Sequence, residues 1–285
     1  MHLSRRLALS ACVSSILGGS ATSVTSIGRG ISGKTFEKHK IKRADRLCSN
    51  QLLYSESRLI YQEIVAQFAH SSLTPIILVD WSDLDDRQDK FLLRASLAVD
   101  GRAMTLYQEV HTVKTKDKPE THQLFLKRLK SMFSDSIKPI VVTDAGFRCP
   151  WFQQVKELGW DFVGRVRNRT QYQRLKETDW TPVKKLYQRA SKSPKLIGAA
   201  TLAKANPTEA NLVVYKKPSK GRHRYTRKGK IAQWTNSKLT AKREKEPWLI
   251  ATSLNITSTL ATKPDRHNIV TLSQWIQTIT EPRRE

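Results

Sequence analysis

The chain has 285 residues, with 50 Lys and Arg against 25 Asp and Glu, a formal net charge of +25 and a pI near 10.2. That length holds one large domain or two smaller ones with a real core, and no apolar run reaches the eighteen or so residues of a membrane span. Cys12, Cys48 and Cys149 lie too far apart for a zinc knuckle or a disulfide framework, which suits a reducing compartment, and the positive surplus calls for a polyanionic partner. Nucleic acid is the first candidate and an anionic membrane surface the second, because Lys and Arg on phosphate release condensed counterions.

The first segment, "MHLSRRLALSACVSSILGGSATS", has the outline of a secretory signal. Ser10, Ser14 and Ser15 weaken its apolar centre, and an odd cysteine count in so basic a chain fits export poorly. The expectation is an amphipathic helix opening a DNA-binding region, with Leu7, Leu9, Cys12, Ile16 and Leu17 on its buried side. Basic helical sequence follows in "KTFEKHKIKRADRL" (34–47) and "SRLIYQEIVAQFAH" (57–70), the latter with Leu59, Ile60, Ile64 and Phe68 at helical spacing.

"PIILVD" reads as a short buried strand. "FLLRASLAV" (91–99) and "RAMTLYQEV" (102–110) flank Asp100-Gly101, which predicts an antiparallel hairpin. "ETHQLFLKRLKSMF" (120–133) predicts an amphipathic helix with Leu124, Phe125, Leu129 and Met132 on one face. It leads to a strand in "PIVVTDAGF", a helix in "PWFQQVKELG" with a Gly stop, and a strand in "WDFVGRVR". Beyond residue 168 come strand-like runs, "LIGAATL", "NLVVYK" and "WLIATSL", separated by basic loops. Residues 216–245 hold twelve Lys and Arg against one Glu, a solvated loop in which Tyr225 and Trp234 could stack on bases.

The order is three strands, a helix, a strand, a helix and a strand, and an aspartate ends both the first and the fourth strand. In a ribonuclease H-like sheet those two strands are neighbours, which would bring Asp80 and Asp144 together. Two carboxylates meeting there repel each other unless a cation sits between them. Hard oxygen donors suit magnesium or manganese. The acid of "PIILVDWSDLDDRQD", five aspartates within ten positions of a basic chain, then reads as a metal site in a protein built to hold phosphates.

"GRGISGKT" (28–35) competes with this reading, since it matches the G-x-x-x-x-G-K-T phosphate loop of an ATPase. That loop needs a hydrophobic strand directly before it, whereas "SATSVTSI" is polar, and the hairpin after Asp80 does not suit a parallel nucleotide-binding core.

"ILVDWSDLDD", "LLRASLAVDGRAMTLYQE", "VVTDAGFRCPWFQQVKELGWDFVGRVR" and "KEPWLIATSL" resemble the DDE transposases of bacterial insertion sequences, most specifically the cut-and-paste insertion-sequence-four family. The resemblance runs from about residue 20 to 263. It implies an α/β, ribonuclease H-like mixed sheet with a β-rich insertion and a helical N-terminal region. The expected division is 1–70 for DNA binding, 71–167 for the first part of the catalytic core, 168–262 for the insertion and 263–285 for a divergent tail. Asp80 and Asp144 match the first two catalytic, metal-holding carboxylates. Trp248 matches a tryptophan that stacks on a base flipped from the hairpin intermediate, and Arg148 is a candidate phosphate contact. Lys42, Arg43, Lys220 and Arg222 are candidate DNA contacts. The family further implies magnesium or manganese, double-stranded terminal repeats and target DNA as partners, homodimers on DNA with cleavage in trans, no membrane, and a cytoplasmic, nucleoid-associated place in a bacterium.

The sequence departs from this pattern near its end. The family's third carboxylate lies in a helix patterned Tyr, two residues, Arg, three residues, Glu, six residues, Lys. An ungapped placement on "NIVTLSQWIQTITEPRRE" sets Leu272, Trp275 and Ile279 at the Tyr, Arg and Glu positions, and the Lys position falls beyond Glu285. Glu281 is two residues off register and precedes Pro282, so the third catalytic Glu is unassigned. The expectation is a truncated or frame-shifted copy with defective catalysis; the alternatives are a non-catalytic DNA-binding remnant and the ATPase.

Overall fold

The computed structural model describes residues 1–255 except 71, 86, 100–101, 168–169, 176, 217–228 and 232. The chain divides into two compact units, Met1–Gln67 and Phe68–Glu285.

The first unit is helical: α1 (Leu3–Leu17), α2 (Val24–Gly30), α3 (Glu37–Cys48) and α4 (Gln51–Phe68). The Ser23 hydroxyl caps α2 by accepting from the Ser26 N–H at 3.2 Å. Its core is Ala8, Cys12, Ile27, Ile31, Ala44 and Leu47. Glycine makes the close helix contacts possible: a Cβ on Gly28 would meet the Ile41 Cα at 2.4 Å, and one on Gly30 would meet the Ser15 Oγ at 2.2 Å. The first three helices thus need small residues where they meet. The buried stripe of α1 is accordingly Ala8, Cys12 and Ser15, at helical spacing, while Leu7, Ile16 and Leu17 are exposed. That corrects the expected face, of which Cys12 alone is fully buried. Along α4 the buried residue is Val65; Leu59 and Phe68 are exposed.

The "GRGISGKT" stretch is preceded by helix α2, not by a strand, and its first two glycines serve helix packing. The strand-loop-helix frame that a phosphate loop needs is not present there.

The second unit holds one ten-stranded mixed sheet. Its strands are β1 (Ile76–Asp83), β2 (Lys90–Val99), β3 (Arg102–Thr112), β4 (Ile140–Thr143), β5 (Asp161–Val166), β6 (Gln171–Arg174), β7 (Thr181–Pro182), β8 (Lys195–Leu202), β9 (Thr208–Tyr215) and β10 (Trp248–Thr252). They lie in the order β3-β2-β1-β4-β5-β10-β9-β8-β6-β7. β4 pairs in parallel with both β1 and β5, and the other pairings are antiparallel. β2 and β3 form the expected hairpin, with Val99 opposite Arg102; its Asp100-Gly101 turn lies outside the described residues. The strands after β5 extend the same sheet, joined to it by the antiparallel β5–β10 pair.

Helices α5 (Pro119–Lys130) and α6 (Cys149–Glu157) begin with proline in their first turn and cover one face of the sheet. α6 ends where Gly159 takes a φ of +73°, the left-handed stop that glycine adopts without strain. α5 buries His122, Phe125, Leu126 and Leu129. Leu124, expected in that face, is exposed, because the stripe follows His122, Phe125 or Leu126, and Leu129 at three- and four-residue steps. Phe125 stacks on Tyr107 of β3 at 5.1 Å, and Phe152 of α6 stacks on Phe162 of β5 at 4.5 Å. Gly164 admits the Phe152 ring, which a Cβ would meet at 2.3 Å. A further 3-10 helix, Val183–Arg189, packs near β9 and β10. The opposite face carries Ile140, Val142, Val163, Val213 and Ile250, with Ile76, Leu78, Leu196, Tyr215 and Leu254 partly buried beside them.

Candidate active site

β1 is a run of aliphatic residues because it lies inside the sheet, with β2 on one side and β4 on the other. The β1–β4 register ends at Val79 opposite Thr143, so Asp80 and Asp144 each follow a residue of its last pair, Asp80 still within β1 and Asp144 in the turn after β4. Directly paired residues on neighbouring strands point to the same face and stand about 5 Å apart. Asp80 is half-buried and Asp144 exposed. Asp144 opens the turn after β4, and its Oδ1 accepts from the Gly146 N–H at 2.7 Å. A Cβ on Gly146 would approach that same oxygen at 2.9 Å, so glycine leaves the carboxylate room.

Asp80 pairs with Arg94 of β2, and Arg94 with Gln108 of β3, whose Oε1 accepts from the Arg94 Nε at 3.1 Å. On the other side of β4, Arg165 of β5 follows Gly164, the partner of Thr143, and pairs with Ile250 of β10. Two register rows therefore flank Asp144, which stands in the turn after β4: Gln108, Arg94 and Asp80 in one, Arg165 and Ile250 in the other. Burial, then Arg167, holds the Arg165 pKa below its ordinary value, while Tyr187, Asp144 and Glu246 pull it back up. The Arg165 guanidinium lies over the ring of half-buried Trp248, 4.3 Å from the centroid.

On the helix-covered face, Trp81 donates from Nε1 to Nε2 of buried His122 at 3.1 Å. Burial pushes the His122 pKa down to about 4, so the ring is neutral and its Nε2 accepts. Nearby, Glu109 accepts from Tyr107 and, at 2.8 Å, from Arg128; His111 Nε2 lies 3.0 Å away.

Of the sequence candidates, Asp80, Asp144 and Trp248 thus gather within a few strands of one face. Arg148 is exposed at the N-cap of α6. Lys42 and Arg43 are exposed on α3, in the other unit. Lys220, Arg222, Tyr225, Leu272, Trp275, Ile279 and Glu281 lie outside the described residues; Trp234 is exposed just before α7 (Thr235–Glu244). Sequence reading missed Arg94, Arg165 and His122. The available signal for the arginines was a lone charge within an otherwise apolar strand, "FLLRASLAV" and "DFVGRV".

Two carboxylates that follow the last residues of one parallel ladder fit a hard divalent cation by charge and donor type. No group of three or more His, Cys, Asp or Glu suited to a metal occurs among the described residues. No described helix is long and apolar enough to cross a membrane.

A mixed sheet with acids next to the last paired residues of adjacent parallel strands, near arginines, suits chemistry on phosphates. The family model of the transposase DDE domain matches residues 71–274, and the chain belongs to that family. It is a transposase, an enzyme of DNA transposition and recombination with a ribonuclease H-like fold, and its family works on DNA with divalent metal ions. No curated protein matches the chain.

Proposed function

We propose that the chain is a cut-and-paste transposase of the insertion-sequence-four type, with Asp80 and Asp144 as its catalytic carboxylates. The observation that carries this reading is that parallel strands β1 and β4 pair up to Val79 and Thr143, the residues immediately before the two aspartates. They would hold magnesium or manganese, whose chemistry is activation of water or a 3′-hydroxyl and stabilisation of a leaving oxygen. Arg94 and Arg165, on the strands to either side, are suited to neutralise phosphates of the strand entering the site. Trp248 offers a flat ring to an unstacked base at a hairpin end. Lys42, Arg43, Lys220, Arg222 and Arg148 supply backbone contacts to double-stranded terminal repeats and target DNA. Residues 1–70 recognise the repeats, 71–167 begin the catalytic core, and 168–262 form its insertion. The working form is a homodimer on DNA, in the cytoplasm at the nucleoid.

We further propose that this chain cleaves poorly. Residues 263–285 contain no tyrosine and no Tyr-Arg-Glu-Lys pattern, so a third carboxylate is not assigned there. Two carboxylates alone should hold a second ion weakly. The same observation favours, as a second reading, a DNA-binding protein that occupies the repeats without cutting.

The test is cleavage of a labelled duplex carrying the element's terminal repeats in magnesium or manganese, with binding followed on the same DNA in calcium. Binding with strand cleavage above that of Asp80→Ala overturns the defect. Binding without cleavage supports the DNA-binding reading. Absence of both overturns the cut-and-paste proposal for this chain.

A further inference from the structure

We propose that His122 is a positioning residue that fixes the separation of Asp80 and Asp144, although it touches the sheet only from the opposite face. The inference rests on the reading of those two aspartates as a metal site.

Strand alternation sends Asp80 to one face and its neighbour Trp81 to the other. The Trp81 indole is held there by its 3.1 Å hydrogen bond to His122 Nε2, and its ring packs against His122 at 5.9 Å and His111 at 5.3 Å. His122 therefore restrains the strand that carries Asp80. Its ring also lies 5.3 Å from Phe147 and 5.2 Å from Trp151, which are themselves 4.6 Å apart. Phe147 is three residues after Asp144, in the turn that aims that carboxylate, and Trp151 belongs to α6, which follows the turn. The second aspartate-bearing segment is thus packed against the same imidazole. Beyond Thr143 the strand ladder no longer holds the chain, so Asp144 depends on its turn, and that turn leans on His122 through Phe147.

One side chain thereby links both carboxylates, by a directed hydrogen bond on one side and by ring packing on the other. Packing alone does not require histidine; the bond to Trp81 does, because Nε2 must accept. Removing the acceptor leaves a partly buried indole N–H without this partner, and Trp81 shifts to satisfy it.

The test is manganese binding by calorimetry on the full chain, comparing wild type with His122→Phe, His122→Gln, Asp80→Asn and a packing control, Phe133→Leu. Phe133 is buried and packs edge-on against Trp160, away from both aspartate segments. His122→Phe is expected to weaken manganese binding about tenfold, the scale for an outer-shell group that orients a ligand. His122→Gln, whose carbonyl restores an acceptor, should recover part of the loss, and Phe133→Leu should bind as wild type even when its melting temperature falls equally. Wild-type affinity in His122→Phe, or an equal loss in Phe133→Leu, overturns the positioning role alone. Equal manganese binding by wild type and Asp80→Asn overturns it together with the metal-site reading.

Discussion

The Arg165 guanidinium lies 4.3 Å from the centroid of the Trp248 ring, and Arg165 follows Gly164 just as Asp144 follows its partner Thr143. The aromatic surface and the acid pair are therefore joined through one cation. Substituting Arg165 by Ala should weaken binding to a hairpin-ended duplex by about five- to thirtyfold, the scale of a desolvated cation–π contact plus a phosphate partner. Blunt duplex should be affected less, and fluorescence anisotropy on the two DNAs measures the difference.

Neutralising either aspartate should remove metal binding and relieve repulsion. Asp80→Asn and Asp144→Asn are each expected to lower manganese affinity at least about tenfold, while metal-free melting temperature stays level or rises. Calorimetry and differential scanning in chelator check both halves.

At Gly146 a methyl group would press on the Asp144 Oδ1 that accepts from its N–H. Gly146→Ala should cost stability only on the order of 1 kcal/mol, because the turn is at the surface. Manganese affinity should nevertheless fall several-fold, since the carboxylate must turn away. Thermal melts and manganese titration of the same variant separate the two effects.

His122 gives a pH signature of its own. Its folded pKa, pushed down to about 4 chiefly by burial and then by His111, against an upward pull from Asp117, lies below the ordinary histidine value of 6.5. The unfolded chain therefore binds more protons between these values, and stability must fall as pH drops from about 6.5 to 4. The contribution has a ceiling on the order of 3 kcal/mol. Melting temperature against pH should drop more steeply for wild type than for His122→Gln across that window.

In the helical unit, Gly28→Ala should be the harsher glycine change, because the added carbon meets Ile41 backbone. An overpacking cost of about 1–3 kcal/mol is expected. Duplex binding should then weaken while manganese binding at the aspartates holds, readable by anisotropy and calorimetry on one preparation.

The sheet's order was legible because aliphatic runs and a hairpin dipeptide are local signals, and an aspartate closing two such runs marks both strands. Register is a long-range property, and Arg94 and Arg165 acquire meaning only when β2 and β5 fall beside the aspartates. His122 was invisible for a similar reason: its hydrogen-bond partner is forty-one residues away. The α1 face was misread because hydropathy favours Leu7 and Leu17, whereas the close helix contacts around Gly28 and Gly30 select Ala8, Cys12 and Ser15.

The unbroken sheet also acts as a ruler. From β4, the strand just before Asp144, to β10, the strand that begins at Trp248, is two strand spacings, roughly 10 Å, near the length of three stacked nucleotide steps. Backbone ladders set that span, so lengthening the basic stretch of sequence between β9 and β10 leaves it unchanged. A slip of β10 by a single residue would instead turn Trp248 to the other face, and the ruler would lose its end mark.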